Sequence, residues 1–161
     1  MIHGVINVYK EQGFTSHDVV AKLRGIVGQK KIGHTGTLDP DAVGVLPVCL
    51  GRATKLCDML TDKDKVYEAV MLLGVETDTQ DTTGQILKSS ETDEITEEQV
   101  RVAVLDFVGD YNQVPPMYSA LKINGKKLYE LAREGKIVER AARRVQICDI
   151  ENLSIALPRV A

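Results

Sequence analysis

Residues 31–51 read KIGHTGTLDPDAVGVLPVCLG, and the organisation of the chain can be built outward from them. Gly33, Thr35, Gly36, Thr37 and Pro40 crowd the segment 33–41, a composition that makes a loop. Residues 43–50 are apolar but broken by Gly44 and Pro47. They read as an irregular strand leading to Gly51 and a short helix through Met59 and Leu60. Asp39 precedes Pro40, whose fixed φ stiffens the chain and can hold the carboxylate outward. An ionised carboxylate so presented can act as nucleophile or base. The same residue could instead make an Asx-turn with its own backbone before Pro40. Thr35 and Thr37 offer hydroxyls for backbone or phosphate contacts, and the glycines allow close backbone approach.

Upstream, residues 5–9 (VINVY) predict a first strand, and Gly13-Phe14 a turn. Thr15 or Ser16 can cap a helix with Asp18 in its first turn. Val19, Val20, Leu23 and Val27 share one face of it, and Gly28 stops it. Downstream, residues 66–73 predict the strongest strand of the chain, and residues 76–84 a surface loop or hairpin end. Thr96 and Gln99 have capping-box spacing, followed by Val100, Val104 and Phe107 at helical intervals, with an end near Gly109. Residues 114–122 (VPPMYSALK) begin stiff and turn strand-like, and Asn124-Gly125 signals a two-residue hairpin. A short helix at 128–134 stops at Gly135, and strands follow at 145–150 and 153–157. Strands and helices without strict alternation predict an α+β fold.

Composition narrows the functional classes. At 161 residues the chain suits one domain with a core of its own, and 43% apolar with 27% charged residues excludes a disordered or coiled-coil chain. No apolar run reaches the roughly 20 residues that span a bilayer, and the first residues lack a signal-peptide pattern, so a soluble, cytoplasmic protein with no membrane partner is expected. Cys49, Cys57 and Cys148 form no C-x-x-C pair, and His3, His17 and His34 are scattered. Neither a disulfide framework nor a metal site is expected.

The net charge of -3 hides a segregation. Residues 1–55 carry 7 basic and 4 acidic side chains, residues 56–121 carry 4 and 14, and residues 122–161 carry 9 and 5. An acidic middle between basic ends leaves room for a nucleic-acid partner.

Three chemistries can be set against the loop at Asp39. Asp39 and Asp41 have the D-x-D spacing of Mg²⁺-dependent aspartate-nucleophile phosphotransferases, but those place a hydrophobic strand directly upstream, where this chain has a Gly/Thr loop. A phosphate-cradling G-x-x-x-x-G-K-[ST] loop is missing, since Gly28 to Gly33 is followed by His34-Thr35. A non-enzymatic RNA-binding module would explain the basic ends without using Asp39.

Residues 7–16 (NVYKEQGFTS) and 31–55 closely resemble the opening motifs of bacterial TruB-type tRNA pseudouridine synthases. Residues 65–69 (KVYEA) resemble that family's next motif, and residues 114–122 a third, inside a region of about 105–145 that the family uses as an RNA-contacting insertion. The resemblance implies a pseudouridine synthase fold, α+β, with a mixed, mainly antiparallel central sheet flanked by helices. It implies an isomerase that converts uridine-55 in the T loop of tRNA to pseudouridine, without cofactor or metal and without an obligate protein partner. Asp39 matches the catalytic aspartate, Tyr67 the tyrosine that stacks on the target base, and His34 the loop histidine that contacts RNA. Lys10 and Thr37 are carried over as further substrate-binding residues. Lys22, Arg24, Lys30, Lys31 and the cluster from Lys126 to Arg144 would meet phosphates.

Two departures stand out. Tyr9-Lys10-Glu11 stands where many members have Asp-Lys-Pro. The family continues past this chain's Ala161 with a strand bearing a K-G-T-Y-I-R-like motif, whose arginine pairs with the catalytic aspartate. The resemblance therefore implies a catalytic domain truncated at its C-terminus, with an incomplete central sheet and little activity alone.

Overall fold

The computed structural model describes residues 1–119 and 121–161. The chain forms two compact units, Met1–Val66 and Tyr67–Ala161, where the sequence reads as part of one domain.

In the first unit, β1 (Gly4–Lys10) pairs antiparallel with β3 (Gly44–Leu50), which pairs antiparallel with β2 (Ile32–His34), giving the order β1-β3-β2. Helix α1 (Ser16–Val27) starts at the expected place. Thr15 is its N-cap, completing a capping box with Asp18, and Gly28 ends it at φ 63. That left-handed conformation costs glycine nothing and a side chain about 1 kcal/mol. Alternation along β3 sends Leu46, Val48 and Leu50 to one face, where they close a core with Val19, Val20 and Ile32. Each such aliphatic side chain contributes roughly 1.5–3 kcal/mol on full burial. The opposite face buries Cys49 beneath the 3-10 turn Gly51–Leu56 and the short helix α2 (Cys57–Thr61).

Pro47 lies inside the central strand, a place that ordinarily rejects proline. It is tolerated because of where its missing N–H points. The Pro47 carbonyl accepts a hydrogen bond from Thr35 N at 3.1 Å, beyond the end of β2. The N–H and C=O of one strand residue face the same side, so the proline removes no bond from the β1 ladder.

The second unit contains β4 (Met71–Leu72), the hairpin β5 (Val75–Thr77) and β6 (Ile86–Ser89), and α3 (Glu97–Leu105). Then come β7 (Gly109–Gln113), the hairpin β8 (Lys122–Ile123) and β9 (Lys126–Lys127), α4 (Leu128–Arg133) and β10 (Arg143–Ile147). Strands β11 (Ile155–Ala156) and β12 (Arg159–Val160) complete it, in a sheet of order β11-β12-β4. Thr96 caps α3 with the Gln99 capping box, as the spacing predicts. Asn124 (φ 51) and Gly125 (φ 83) make the hairpin turn, and α4 buries Leu128 and Leu131. Strands β7 and β10 pair antiparallel and form a two-stranded stem from which residues 114–142 leave and return.

Several strand expectations are corrected. Residues 66–73 do not form a long strand: only Met71–Leu72 is paired, with β12, while Val66, Tyr67 and Val70 stand exposed. β-propensity measures fit to a paired, half-buried surface, and among the described residues nothing pairs with 66–70. Residues 76–84 begin in β5 and run through the end of a hairpin, as expected, but its return strand, β6, has no strong alternation to announce it. Residues 114–122 hold no strand before Lys122, with Ala120 outside the described residues. The strand expected at 145–150 begins two residues earlier and ends at Ile147, and that at 153–157 shrinks to Ile155–Ala156. Every pairing among the described residues is antiparallel, in line with the mainly antiparallel character expected of a mixed sheet. The α+β class stands.

Candidate active site

The loop from β2 to β3 carries Asp39, and its conformation is fixed on both sides of that residue. Before it, Leu38 N donates to the Ser16 hydroxyl at 2.9 Å, and that hydroxyl reaches back to Leu38 O at 3.4 Å. After it, Pro40 O accepts from Gly13 N at 2.8 Å and from Lys10 Nζ at 3.3 Å. Asp39 O itself accepts from Ala42 N at 3.1 Å, closing the turn that leads into β3. Further back, Thr35 is buried, and its carbonyl accepts from the Thr61 hydroxyl of α2 at 2.7 Å. The Asp39 side chain is exposed, and no described residue hydrogen-bonds its carboxylate. The backbone on either side is tied down while the carboxylate faces solvent, the arrangement a preorganised reactive group requires.

Lys10 is turned inward. It is fully buried, and its ammonium donates to Phe14 O at 2.7 Å, Glu11 O at 3.1 Å and Pro40 O at 3.3 Å. An ammonium has three donors, and all three are taken by carbonyl oxygens. The sequence put Lys10 among substrate-binding residues. In this structure its ammonium joins the end of β1 and the turn at Gly13 to the residue after Asp39.

His34 closes β2 at the root of the loop. Its Nδ1 lies 2.6 Å from Gly36 O. A carbonyl only accepts, so Nδ1 carries the proton, and in the neutral ring Nε2 is left as acceptor. Thr37 is exposed on the same loop. The first unit therefore gathers Asp39, His34, Thr37 and Lys10. Tyr67 begins the second unit, with its side chain 75% exposed.

The sequence reading missed Ser16 as an anchor. It competed with Thr15 for the capping position, and because Thr15 caps α1, the buried Ser16 hydroxyl is free to hold Leu38. Thr61 was missed as well, because its contact with Thr35 spans 26 residues of sequence. The adjacent Thr-Ser pair before an apolar helix was the only readable signal.

Comparison with known proteins bears on what this loop belongs to. Residues 24–161 match the family model described as TruB family pseudouridylate synthase (N terminal domain). The chain belongs to the TruB family. It is 63% identical over 154 residues to tRNA pseudouridine synthase B of Lachnoclostridium phytofermentans, covering 96% of this chain and 50% of that protein. It is 55% identical over 159 residues to the protein of the same name in Clostridium novyi, covering 99% of this chain and 55% of that one. The chain thus spans about half the length of the curated TruB relatives it matches. Among solved structures, a Cbf5-Nop10-Gar1 complex contains a chain similar to it at TM-score 0.64 and 30% identity, covering 98% of this chain and 37% of that one. A box H/ACA ribonucleoprotein bound to a substrate RNA containing 2′-deoxyuridine gives TM-score 0.54 at 26% identity, covering 89% of this chain and 45% of that one. The resemblance read from residues 7–16 and 31–55 is borne out at the level of the family, as is the α+β fold.

Among the described residues, no group of three or more His, Cys, Asp or Glu side chains is placed to hold a metal ion. No helix of the described residues is long and apolar enough to cross a membrane.

Proposed function

We infer that this chain forms the part of a tRNA pseudouridine synthase that carries the catalytic aspartate, and that the whole enzyme converts uridine-55 of the tRNA T loop to pseudouridine in the cytoplasm. One observation carries the reading: Asp39 presents an exposed carboxylate on a loop anchored through both neighbours, in a chain of the TruB family. The isomerisation breaks the N1–C1′ glycosidic bond, turns the retained uracil and forms a C5–C1′ bond. C5 gives up its proton to solvent, N1 gains one, and the net composition is unchanged. Asp39 acts as the nucleophile that holds the intermediate.

A uridine inside a folded T loop must leave its stack before a carboxylate can reach it, at a cost of a few kcal/mol. Stacking on an aromatic face returns roughly 1–3 kcal/mol per base, and the exposed ring of Tyr67 is the residue assigned to it. His34 and Thr37, on the Asp39 loop, contact the RNA around the extruded nucleotide. Residues 114–142, carried on the β7–β10 stem, grip the T stem.

The test is tritium release from tRNA labelled with 5-³H-uridine, using this sequence within a polypeptide of the length of its curated relatives. Release is expected with Asp39 and none with Asp39→Asn. Undiminished release from the variant would remove Asp39 from the chemistry. Tight tRNA binding without release from the parent protein would make the chain part of a binding module.

A further inference from the structure

On the face of the first sheet turned away from the aliphatic core, two sulfurs meet. Cys49 is fully buried in β3, paired with Val5 of β1 on one side and with Gly33 of β2 on the other. Residues directly opposite in an antiparallel pair share a face, with Cβ positions about 4.5–5.5 Å apart. Gly33 has no side chain, and Cys57 fills the space it leaves: a Cβ at Gly33 would lie 3.2 Å from Cys57 Sγ. The Cys57 thiol is hydrogen-bonded to that of Cys49.

The two thiols differ in access and in freedom. Cys57 is half-buried, whereas Cys49 has no exposed surface. Cys49 cannot shift without disturbing the ladders on both sides of it. Cys57 instead begins the five-residue helix α2, behind a 3-10 turn. At the other end of α2, the Thr61 hydroxyl lies 2.7 Å from Thr35 O and 2.8 Å from Cys57 O. A hydroxyl carries one hydrogen, so the two carbonyls compete for it. A displacement of Cys57 is therefore felt at Thr35, at the root of the Asp39 loop.

We propose that Cys49 and Cys57 are an oxidisable dithiol, a modification site for hydrogen peroxide whose disulfide draws α2 onto β3 and changes the hold of Thr61 on the Asp39 loop. The Cys57 thiolate attacks one peroxide oxygen and the O–O bond breaks, leaving Cys57 as a sulfenic acid. The departing hydroxide takes up the proton Cys57 has lost and becomes water. The Cys49 sulfur then attacks Cys57 Sγ, the S–O bond breaks, and the second hydroxide leaves with the Cys49 proton, again as water. Two thiols are oxidised by two electrons, and one peroxide is reduced to two waters. Cys57 reacts first because it is the thiol that peroxide can reach. Cys49 resolves because contact with Cys57 supplies the effective concentration that its small thiolate fraction lacks. The sulfurs must close to about 2.05 Å. With β3 held on both edges, that movement falls on α2. The site stands whether or not Asp39 reacts with RNA.

The Cys148→Ser variant of the chain, freed of its exposed thiol, is treated with hydrogen peroxide and digested with trypsin without reductant. Cleavage after Lys31, Arg52, Lys55 and Lys63 separates the two cysteines. The bond is expected as residues 32–52 joined to residues 56–63, released by dithiothreitol. In the same background Cys49→Ala is expected to stop at the Cys57 sulfenic acid, captured by dimedone, and Cys57→Ser to give neither product. No joined peptides from the folded parent, or dimedone on Cys49 rather than Cys57, would overturn the site. Amide exchange gives a second arm. Exchange at Leu60 and Thr61 is expected to be slower in the oxidised chain than in the reduced one. Unchanged exchange with the bond formed would overturn the clamp on α2.

Discussion

Lys10 Nζ and Pro40 O lie 3.3 Å apart, so the last residue of β1 holds the residue that follows Asp39 across 30 positions of sequence. The same ammonium binds Phe14 O and Glu11 O, which makes it a tripod linking strand, turn and loop. Gly13, at φ 85, completes the arrangement by donating its N–H to the same Pro40 carbonyl. Fully buried lysines are rare without a charged partner. This one is held by the carbonyl dipoles of Glu11, Phe14 and Pro40.

Lys10→Met keeps the aliphatic stem and removes the tripod. Bonds to charged donors contribute roughly 1.5–3 kcal/mol each, and the remaining carbonyls regain only part of that from water, so the loss of stability is about 3 kcal/mol. Urea denaturation of the chain measures it. The salt dependence of tRNA binding is expected to stay at the wild-type slope, because the ammonium is not available to a phosphate. A reduced slope with unchanged stability would return Lys10 to the substrate-binding set.

Thr15 and Ser16 are adjacent, yet their removal should be felt in different places. Thr15→Ala deletes a helix cap and costs about 1 kcal/mol. Ser16→Ala leaves the Leu38 N–H without its acceptor inside a partly buried site, at about 1–3 kcal/mol. Hydrogen exchange separates them: faster exchange at Leu38 is expected for Ser16→Ala alone, while Thr15→Ala speeds exchange at Asp18. Equal exchange at Leu38 in both variants would mean that the loop is not pinned through Ser16.

How much of this was legible depends on the distance over which a residue acts. The capping box at Thr96, the Asn124-Gly125 turn and the stop at Gly28 are local chemistry that the sequence displays, and at the first helix it narrows the cap to Thr15 or Ser16. Asp39 was legible because a stiff Gly/Thr/Pro loop is unusual and because its surroundings resemble one family. The Lys10 tripod was not, since a lysine at the end of a strand gives no sign that its ammonium will be enclosed by carbonyls of its own turn and of the loop 30 residues on. Residues 66–73 failed for the converse reason. Their β-propensity was plain, but a strand exists only where something pairs with it. Unpaired cations behave in the same way: basic residues can be counted along a sequence, but only their placement showed which ones Glu134 and Asp110 neutralise.

The three thiols should separate by reactivity. Burial pushes the Cys49 thiol up to about 11, and a hydrogen bond with Cys57 adds to the effect. Cys148 is exposed, and Cys57 is half-buried. Iodoacetamide at about pH 8 is expected to label Cys148 first and Cys57 next, with Cys49 modified only on unfolding, because the thiolate is the reactive form. Peptide mass spectrometry over a time course reads the order. Early labelling of Cys49 in the folded chain would show that β3 is not closed on that face.

Acid should loosen the helix that bears Ser16. The Asp18 carboxyl is held below its ordinary value, first by the Thr15 hydroxyl and then by the Thr15 N–H, at 2.6 and 2.9 Å. A carboxyl whose folded pKa is depressed stabilises the folded state above its unfolded value and loses that contribution as pH falls through the folded one. The contribution is therefore complete at neutral pH, begins to fade near the ordinary aspartate value of about 3.9, and is gone below the depressed value. Thermal unfolding of the wild-type chain and Asp18→Asn from neutral pH down to about pH 2.5 tests this. The variant is expected to be less stable at neutral pH, with the difference shrinking as pH falls below about 4. Because α1 carries Ser16 beside its capping residue, faster hydrogen exchange at Leu38 should accompany the same acid limb, linking protonation of Asp18 to loosening of the Asp39 loop. A stability difference that persists unchanged at the lowest pH would place the effect of the substitution outside the ionised capping contact.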